Sequence, residues 1–196
     1  MAAKGNILVN KVTGEKIKWL ETSRDTNGRY LLMEFEVAPG GCVPVSHVHP
    51  NQDEYFEVES GGMRLQMKGE TIRLGPGQTH LVPKGQAHQW WNDSEEHALK
   101  MRVKLEPALN SEIFFEQFFG LANDGKTKAD GSPKFMQVMA MSNEYEIYLA
   151  APPVPVQKIA AGILGTIAGV LGYKKYYSAY SKAEAEQHAS PADLKI

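Results

Sequence analysis

The sequence has little that would direct it to an oxidising compartment, to nucleic acid or to secretion. One cysteine, Cys42, excludes a disulfide within the chain and fits a reducing compartment. The formal net charge is -2 and no dense run of lysine or arginine occurs, which argues against a nucleic-acid partner. The first ten residues lack the long apolar segment of a secretory signal. We therefore predict a cytoplasmic protein that does not bind nucleic acid.

The first half of the chain has the pattern of many short β-strands. Apolar residues alternate with polar ones in short runs, and glycine, proline, asparagine and aspartate separate these runs. Regularly spaced short strands are typical of a β-sandwich or a β-barrel. The predicted strands cover residues 7–9, 16–20, 30–37, 54–58, 63–67, 71–74, 79–82, 88–91 and 98–105.

The pattern becomes helical after Pro107, so we predict a barrel domain at 1–106 and a helical extension at 107–196. A helix is predicted at 110–123, with Asn110 or Ser111 as its N-cap. Further segments of the extension are one or two short helices in 134–150, a proline linker at 151–157 and an apolar helix at about 158–180.

Three histidines and one glutamate fall at positions that can converge inside such a barrel. His47 and His49 are two residues apart, so in an extended strand they point to the same side. Glu54 and His88 lie on two later predicted strands. Imidazole nitrogens with one carboxylate suit a divalent transition metal, and four such ligands leave room for water, dioxygen or a substrate oxygen.

The same residues lie in two motifs that resemble the two signature motifs of the cupin superfamily. The first motif contains Gly41, His47, His49, Glu54 and Gly61, and the second contains Gly77, Pro83, Gly85, His88 and Asn92. The resemblance covers roughly residues 30–105. It implies a mainly β fold, a double-stranded β-helix or jelly roll, followed here by the α-helical extension.

The resemblance also implies one divalent metal ion per chain (Fe, Mn, Ni, Zn or Cu), held by His47, His49, Glu54 and His88. This ligand set resembles that of metal-dependent oxygenases and oxalate-degrading cupins. We therefore expect an oxygenase-like enzyme for a small organic acid or enol, with Glu54 either remaining a ligand or acting as a catalytic base. The alternative is a binding or sensing protein that holds a metal and a small molecule without turnover.

Other candidate residues have weaker support. His80 is either a contact near the site or, as we favour, a structural histidine; Asp53 should face outward, and His97 and His188 receive no role. The side chains of Phe56, Met63, Leu65, Met67 and Trp90 either line the pocket or belong to the plain core.

The apolar helix at about 158–180 has no polar face, so we expect it to be covered on all sides. A homodimer interface, contact with a membrane surface and a lid over the barrel of the same chain are the alternatives, and many cupins are dimers. Membrane association through this helix is also the alternative to a cytoplasmic location. Residues 107–133 resemble a bacterial group of small cupins with a helical C-terminal extension.

Overall fold

The computed structural model of the protein describes residues 2–43 and 45–181. His188 and residues 182–196 of the predicted extension lie outside the described residues. The strands are β1 (Ile7–Val9), β2 (Lys16–Glu21), β3 (Leu31–Val37), β4 (His47–Val48), β5 (Asp53–Ser60), β6 (Met63–Met67), β7 (Glu70–Leu74), β8 (Thr79–Val82), β9 (His88–Asn92), β10 (Leu99–Glu106) and β11 (Tyr148–Leu149). The helices are α1 (Ser111–Asn123), α2 (Phe135–Tyr145) and α3 (Val154–Val170).

The strands form two antiparallel sheets. One sheet has the order β1-β2-β3-β10-β5-β8, and the other has the order β11-β4-β9-β6-β7. The mainly β fold with a helical C-terminal part is therefore confirmed. The nine predicted strands are all present, and β4 lies where an extended strand was assumed for His47 and His49. Strand β11 was not predicted, because two residues are too short for a periodic signal.

The hydrophobic core lies between the two sheets, because every second residue along the strands is apolar and points inward. On β3, Leu31, Met33, Phe35 and Val37 are buried, while the residues between them are partly exposed. The paired strand β10 shows the same alternation, so the two strands present one continuous apolar face. Burial of each large apolar side chain stabilises the fold by about 1.5–3 kcal/mol.

Helix α1 closes one side of the barrel. Its Phe119 is 1% exposed and belongs to the same hydrophobic cluster as the barrel strands. Gln52, just before β5, donates hydrogen bonds from Nε2 to the carbonyl oxygen of Pro107 (2.7 Å) and to Ser111 Oγ (2.9 Å). Asn110 is the N-cap residue, although its side chain makes no capping hydrogen bond.

Strand β11 joins the extension to the barrel. Tyr148 pairs with Val48, and Leu149 pairs with His47, so the extension supplies the edge strand next to β4. A single helix, α2, precedes this strand in the segment where one or two helices were predicted. The division into domains at residue 106 stays a prediction.

The predicted bounds of the apolar helix were wrong at both ends. The helix begins at Val154, inside the predicted proline linker, because Pro153 and Pro155 fit at its N-terminus, where a missing N–H leaves no hydrogen bond unmade. It ends at Val170. Gly172 has φ +87°, and the amide of Tyr173 donates to the carbonyl oxygen of Ala168, which is a Schellman termination.

Helix α3 packs on α2 through small residues. Ala161 and Ala168 are buried, and a Cβ atom on Gly165 would lie 3.1 Å from the carbonyl oxygen of Met139. The opposite face is open, with Ile163 62% exposed and Val170 86% exposed. The described residues of this chain do not cover that face, so cover by a second copy in a homodimer or by a membrane surface stays a prediction. No helix among the described residues has both the length and the apolar character needed to cross a bilayer.

Candidate metal centre

Four side chains from both sheets meet inside the barrel. His47 lies on β4 and pairs in register with His88 on β9, while His49 follows β4 directly. Glu54 comes from β5 in the opposite sheet. Gly85, with φ +77°, completes the turn before β9, and its amide donates to the carbonyl oxygen of His49 (2.8 Å). This turn ties the His49 backbone to the segment that leads into His88.

The ligand atoms of His47, His49, Glu54 and His88 all lie within 4.8 Å of one another. Glu54 Oε2 is 2.8 Å from Nε2 of His88 and 3.7 Å from Nε2 of His49. His49, Glu54 and His88 are buried, at 8%, 7% and 1% exposure, and His47 is partly exposed. The structure therefore brings together all four predicted residues; their role as ligands stays a prediction.

Backbone carbonyls orient two of the rings. His47 Nδ1 lies 3.1 Å from the carbonyl oxygen of Val45, and His88 Nδ1 lies 3.2 Å from that of Gln86. A proton on each Nδ1 makes these contacts hydrogen bonds. Nε2 is then the ring nitrogen that can bind a metal ion. Metal-binding histidines commonly fix their second nitrogen in this way.

The electrostatics favour the protonation states that bind a cation at His47, His49 and Glu54, but not at His88. Burial lowers the pKa of His47 to about 3 and that of His49 to about 4, so both rings are neutral near pH 7. Burial alone would raise the pKa of Glu54, but the His88 hydrogen bond and the three imidazoles outweigh it and lower the pKa to about 2. Burial opposes protonation of His88, yet the bond to Glu54 raises its pKa.

The dimensions of the cluster suit one ion. Ligand atoms about 2.1 Å from a transition metal lie at most about 4.2 Å apart, so the present set needs a contraction of about half an ångström. The hydrogen bond between Glu54 and His88 holds two of these atoms at 2.8 Å, a separation that an ion would widen. Three imidazole nitrogens and one carboxylate oxygen are a donor set for Fe, Mn, Ni, Zn or Cu.

A cavity of about 160 Å³ adjoins the cluster. His47, His49 and Glu54 line it together with apolar side chains of the barrel and of the extension. Its aromatic wall includes Phe35 and Trp90 from the barrel and Phe115, Phe118 and Tyr145 from α1 and α2. Because no residue of α3 appears in the lining of the described cavity, the lid alternative for that helix was wrong, and α1 and α2 cover the barrel instead.

The structure separates the remaining candidate residues into those that line the cavity and those that do not. Trp90 lines the cavity, whereas Phe56, Met63 and Leu65 are buried core residues outside its lining. His80 lies on β8, away from the four-residue cluster. Asp53 accepts a hydrogen bond from the amide of Lys84 (2.7 Å) in an exposed position, so its carboxylate turns outward as predicted.

Glu15 is a cavity residue that the sequence reasoning missed. It is 5% exposed, and Thr13 Oγ1 donates a hydrogen bond to its carboxylate (2.8 Å). Burial raises the pKa of this carboxyl group. The sequence does contain a signal that Glu15 points inward. Glu15, Ile17 and Trp19 are two residues apart, and side chains at this spacing along a strand share one face, which here is buried.

Residues 33–103 match the family model of the cupin domain. The barrel is a cupin domain. Among curated relatives, the probable oxidoreductase virH of Hypocrea virens is 29% identical over 85% of this chain and 84% of that protein. The probable oxidoreductase patJ of Aspergillus clavatus is 30% identical, and quercetin 2,3-dioxygenase of Bacillus subtilis is 31% identical. These two alignments cover 70% and 58% of this cupin, but only 46% and 32% of the relatives.

Solved structures with a similar barrel include KdgF from Halomonas sp., with a TM-score of 0.47 and 17% identity over 55% of this chain and 92% of that one. The polyketide cyclase RemF from Streptomyces resistomycificus has a TM-score of 0.42 and 28% identity over 47% and 64%. The oxidoreductase relatives named above are fungal, so the predicted similarity to a bacterial group gains no support from them.

Proposed function

We propose that this cupin is a metal-dependent, oxygenase-like enzyme that binds one divalent ion per chain and acts on an enol or a small organic acid. The observation that carries the proposal is the meeting of three imidazoles and one carboxylate within 4.8 Å at the wall of an apolar cavity. Relatives named as oxidoreductases, and one named as a dioxygenase, support the same reaction class.

The proposed ligands are His47, His49, Glu54 and His88, which fit a transition-metal ion by donor type and by spacing. When bound, a redox-active ion with an open position supplies a Lewis acid for the substrate oxygen and electron transfer to dioxygen. The lowered pKa values of His47 and His49 keep both rings in the neutral form that this role requires.

Glu54 is also the proposed base. A carboxylate has two oxygens, so one oxygen of Glu54 can bind the ion while the other accepts the proton of an enolic hydroxyl group. The ionised form persists near neutral pH because the surrounding imidazoles lower its pKa to about 2. His88 is a ligand in this proposal, so binding of the ion at its Nε2 displaces the proton that Nε2 donates to Glu54.

The cavity wall has a separate part in the proposal. Phe35, Trp90 and Phe118 present apolar surface beside the cluster, and such walls exclude water from a reacting enolate. Water exclusion also strengthens every charge interaction inside the site, because the local dielectric constant is low.

The experiment uses protein purified without chelators or a metal-affinity tag. Elemental analysis should find about one transition-metal ion per chain, and an oxygen electrode should record uptake when an enolic substrate is added. His49→Ala should lose most of the metal and the oxygen uptake while the circular dichroism spectrum of the barrel persists. His80→Ala, which changes a histidine outside the cluster, is the matched control and should keep both.

The outcomes separate the two candidate functions. Full metal content in His49→Ala would overturn the proposed site. Metal bound by the wild type with no oxygen uptake on any enolic compound would favour the binding protein over the enzyme. A bound metal that proves to be only zinc would argue against dioxygen chemistry, because Zn²⁺ has no redox activity.

A further inference from the structure

The cavity beside the four-residue cluster limits the size of its occupant. Its volume is about 160 Å³. An engineered apolar protein cavity of about 150 Å³ binds benzene, so the space here suits one six-membered ring with small substituents. A flavonol with three rings exceeds this space unless most of the molecule stays outside the cavity. The cavity opens to solvent at Val45, which is 46% exposed, so the volume limits the part of the ligand that lies inside it.

The cavity also lacks a partner for an anionic substituent. Among the described residues that line it, none is a lysine or an arginine, and the acidic residues are Glu15 and Glu54. A carboxylate moved into this space would lose its water, and no cationic side chain would replace that hydration. With an ion bound at the cluster, this argument applies to an acid group in the rest of the cavity, where Glu15 adds repulsion and no cationic side chain lies in the lining.

The walls favour a flat ring over an aliphatic chain. Phe118 and Phe114 stack in parallel, with ring centroids 5.8 Å apart and an interplanar angle of 7°. On the barrel side, Phe35 meets Trp90 edge to face at 5.7 Å. Aromatic side chains pack on aromatic ligands through the same stacked and edge-to-face contacts.

From size, charge and lining together, we infer that this cupin prefers a neutral, single-ring phenol or cyclic enol to a ring that carries a carboxylate and to multi-ring flavonols. The inference rests on the proposed function for the site and narrows its substrate class to the enol. The helical extension contributes to this selectivity, since Phe114 and Phe118 on α1, and Tyr145 on α2, line the cavity.

The test is isothermal titration calorimetry at pH 7 with three compounds that share a catechol group. 4-Methylcatechol is a neutral single ring, 3,4-dihydroxybenzoate is the same ring with a carboxylate, and quercetin has three rings. The neutral ring should bind at least tenfold more tightly than either of the others. Equal or tighter binding of the benzoate would overturn the charge limit, and equal or tighter binding of quercetin would overturn the size limit.

Two variants test the cause of the selectivity. Val45 lines the cavity and is 46% exposed, so Val45→Arg adds a cation at the rim without burying it. This change should strengthen benzoate binding at least tenfold, whereas Leu81→Arg, at a 42% exposed position outside the lining, should not. Phe118→Ala should raise the affinity for quercetin by enlarging the cavity. Unchanged preferences in both cavity variants would overturn the inference.

Titrations of metal-loaded and chelator-treated protein distinguish the two proposals. If wild-type protein binds no metal, the proposed function fails, but preference of the metal-free protein for the neutral ring would still support the cavity inference. If metal is bound and all three compounds bind equally, the cavity inference fails while the metal site stands. Absence of binding by all three compounds to both forms overturns the inference.

Discussion

Helices α1 and α3 are both rich in apolar residues, yet they bury opposite kinds of side chain. Helix α1 turns large residues inward, and Phe119 and Leu121 are each 1% exposed. Helix α3 turns its small residues Ala161 and Ala168 toward α2, and leaves Ile163 on the surface. Both helices belong to the same extension, with α2 and β11 between them along the chain.

The difference teaches that hydrophobicity alone does not decide which face of a helix is buried. Helix α1 lies over the open side of the barrel, where large rings are needed to fill space. Helix α3 lies so close to α2 that a Cβ atom on Gly165 would approach the Met139 carbonyl oxygen to 3.1 Å. Shape complementarity at such a crossing requires small residues, and the large ones then face away.

The largest effect is expected where α1 fills the barrel. Phe119→Ala removes a ring from the main hydrophobic cluster and should lower the free energy of unfolding by about 3–5 kcal/mol. Urea unfolding measures the change. Phe135→Ala on α2, where the ring is 59% exposed, is the control and should change stability by less than about 0.5 kcal/mol. Equal losses in the two variants would contradict the packing described for α1.

An intermediate effect is expected at the crossing of α2 and α3. Ala168 is fully buried, so Ala168→Leu should overpack the contact and destabilise the protein by about 1–3 kcal/mol. The next residue provides the control, because a Cβ atom on Gly169 meets nothing within 4 Å. Gly169→Ala should stabilise the helix by up to about 1 kcal/mol. The melting temperatures of the two variants should therefore shift in opposite directions. A shift of the same sign in both would show that Ala168 and Gly169 are assigned to the wrong faces of α3.

The smallest effect concerns a partly buried acid at the start of α1. Burial raises the pKa of Glu112 from its ordinary value of 4.5 to about 7, against a hydrogen bond from the Ser23 amide, and Glu116 and Asp25 add to the rise. The folded protein holds this proton more tightly than the unfolded chain does. Stability contributed by the group is therefore complete below about pH 4.5 and is lost as the pH rises through about 7.

Glu112→Gln removes this titration while keeping a side-chain oxygen for the Ser23 amide. The melting temperature of the variant relative to wild type should therefore be higher at pH 8 than at pH 5. The exposed Glu70→Gln on β7 is the matched control. A difference that does not change between the two pH values would contradict the burial of this carboxyl group.

Local patterns predicted the barrel and the cluster because both depend on short-range order. Alternation along a strand places His88, Trp90 and Asn92 on one buried face, as the sequence indicated. The spacing of His47, His49, Glu54 and His88 within two motifs was enough to predict that they converge. Neither result required knowledge of the rest of the chain.

Long-range contacts account for what the sequence did not reveal. Strand β11 has two residues and exists because Tyr148 and Leu149 find the edge of β4, about a hundred residues earlier. The aromatic wall from α1 and α2 depends on where the extension folds back onto the barrel. The spacing of apolar residues along the sequence does not predict that position. The start of α3 was missed for a different reason, since Pro155 was read as a break although proline is compatible with a first helical turn.

X-ray absorption spectroscopy at the edge of the bound metal tests the central claim most directly. The account predicts one ion per chain with three imidazole nitrogens and one carboxylate oxygen in its shell at about 2.0–2.2 Å, and the loss of one imidazole in His88→Ala. A shell with no imidazole, or with a number of imidazoles that His88→Ala leaves unchanged, would contradict it.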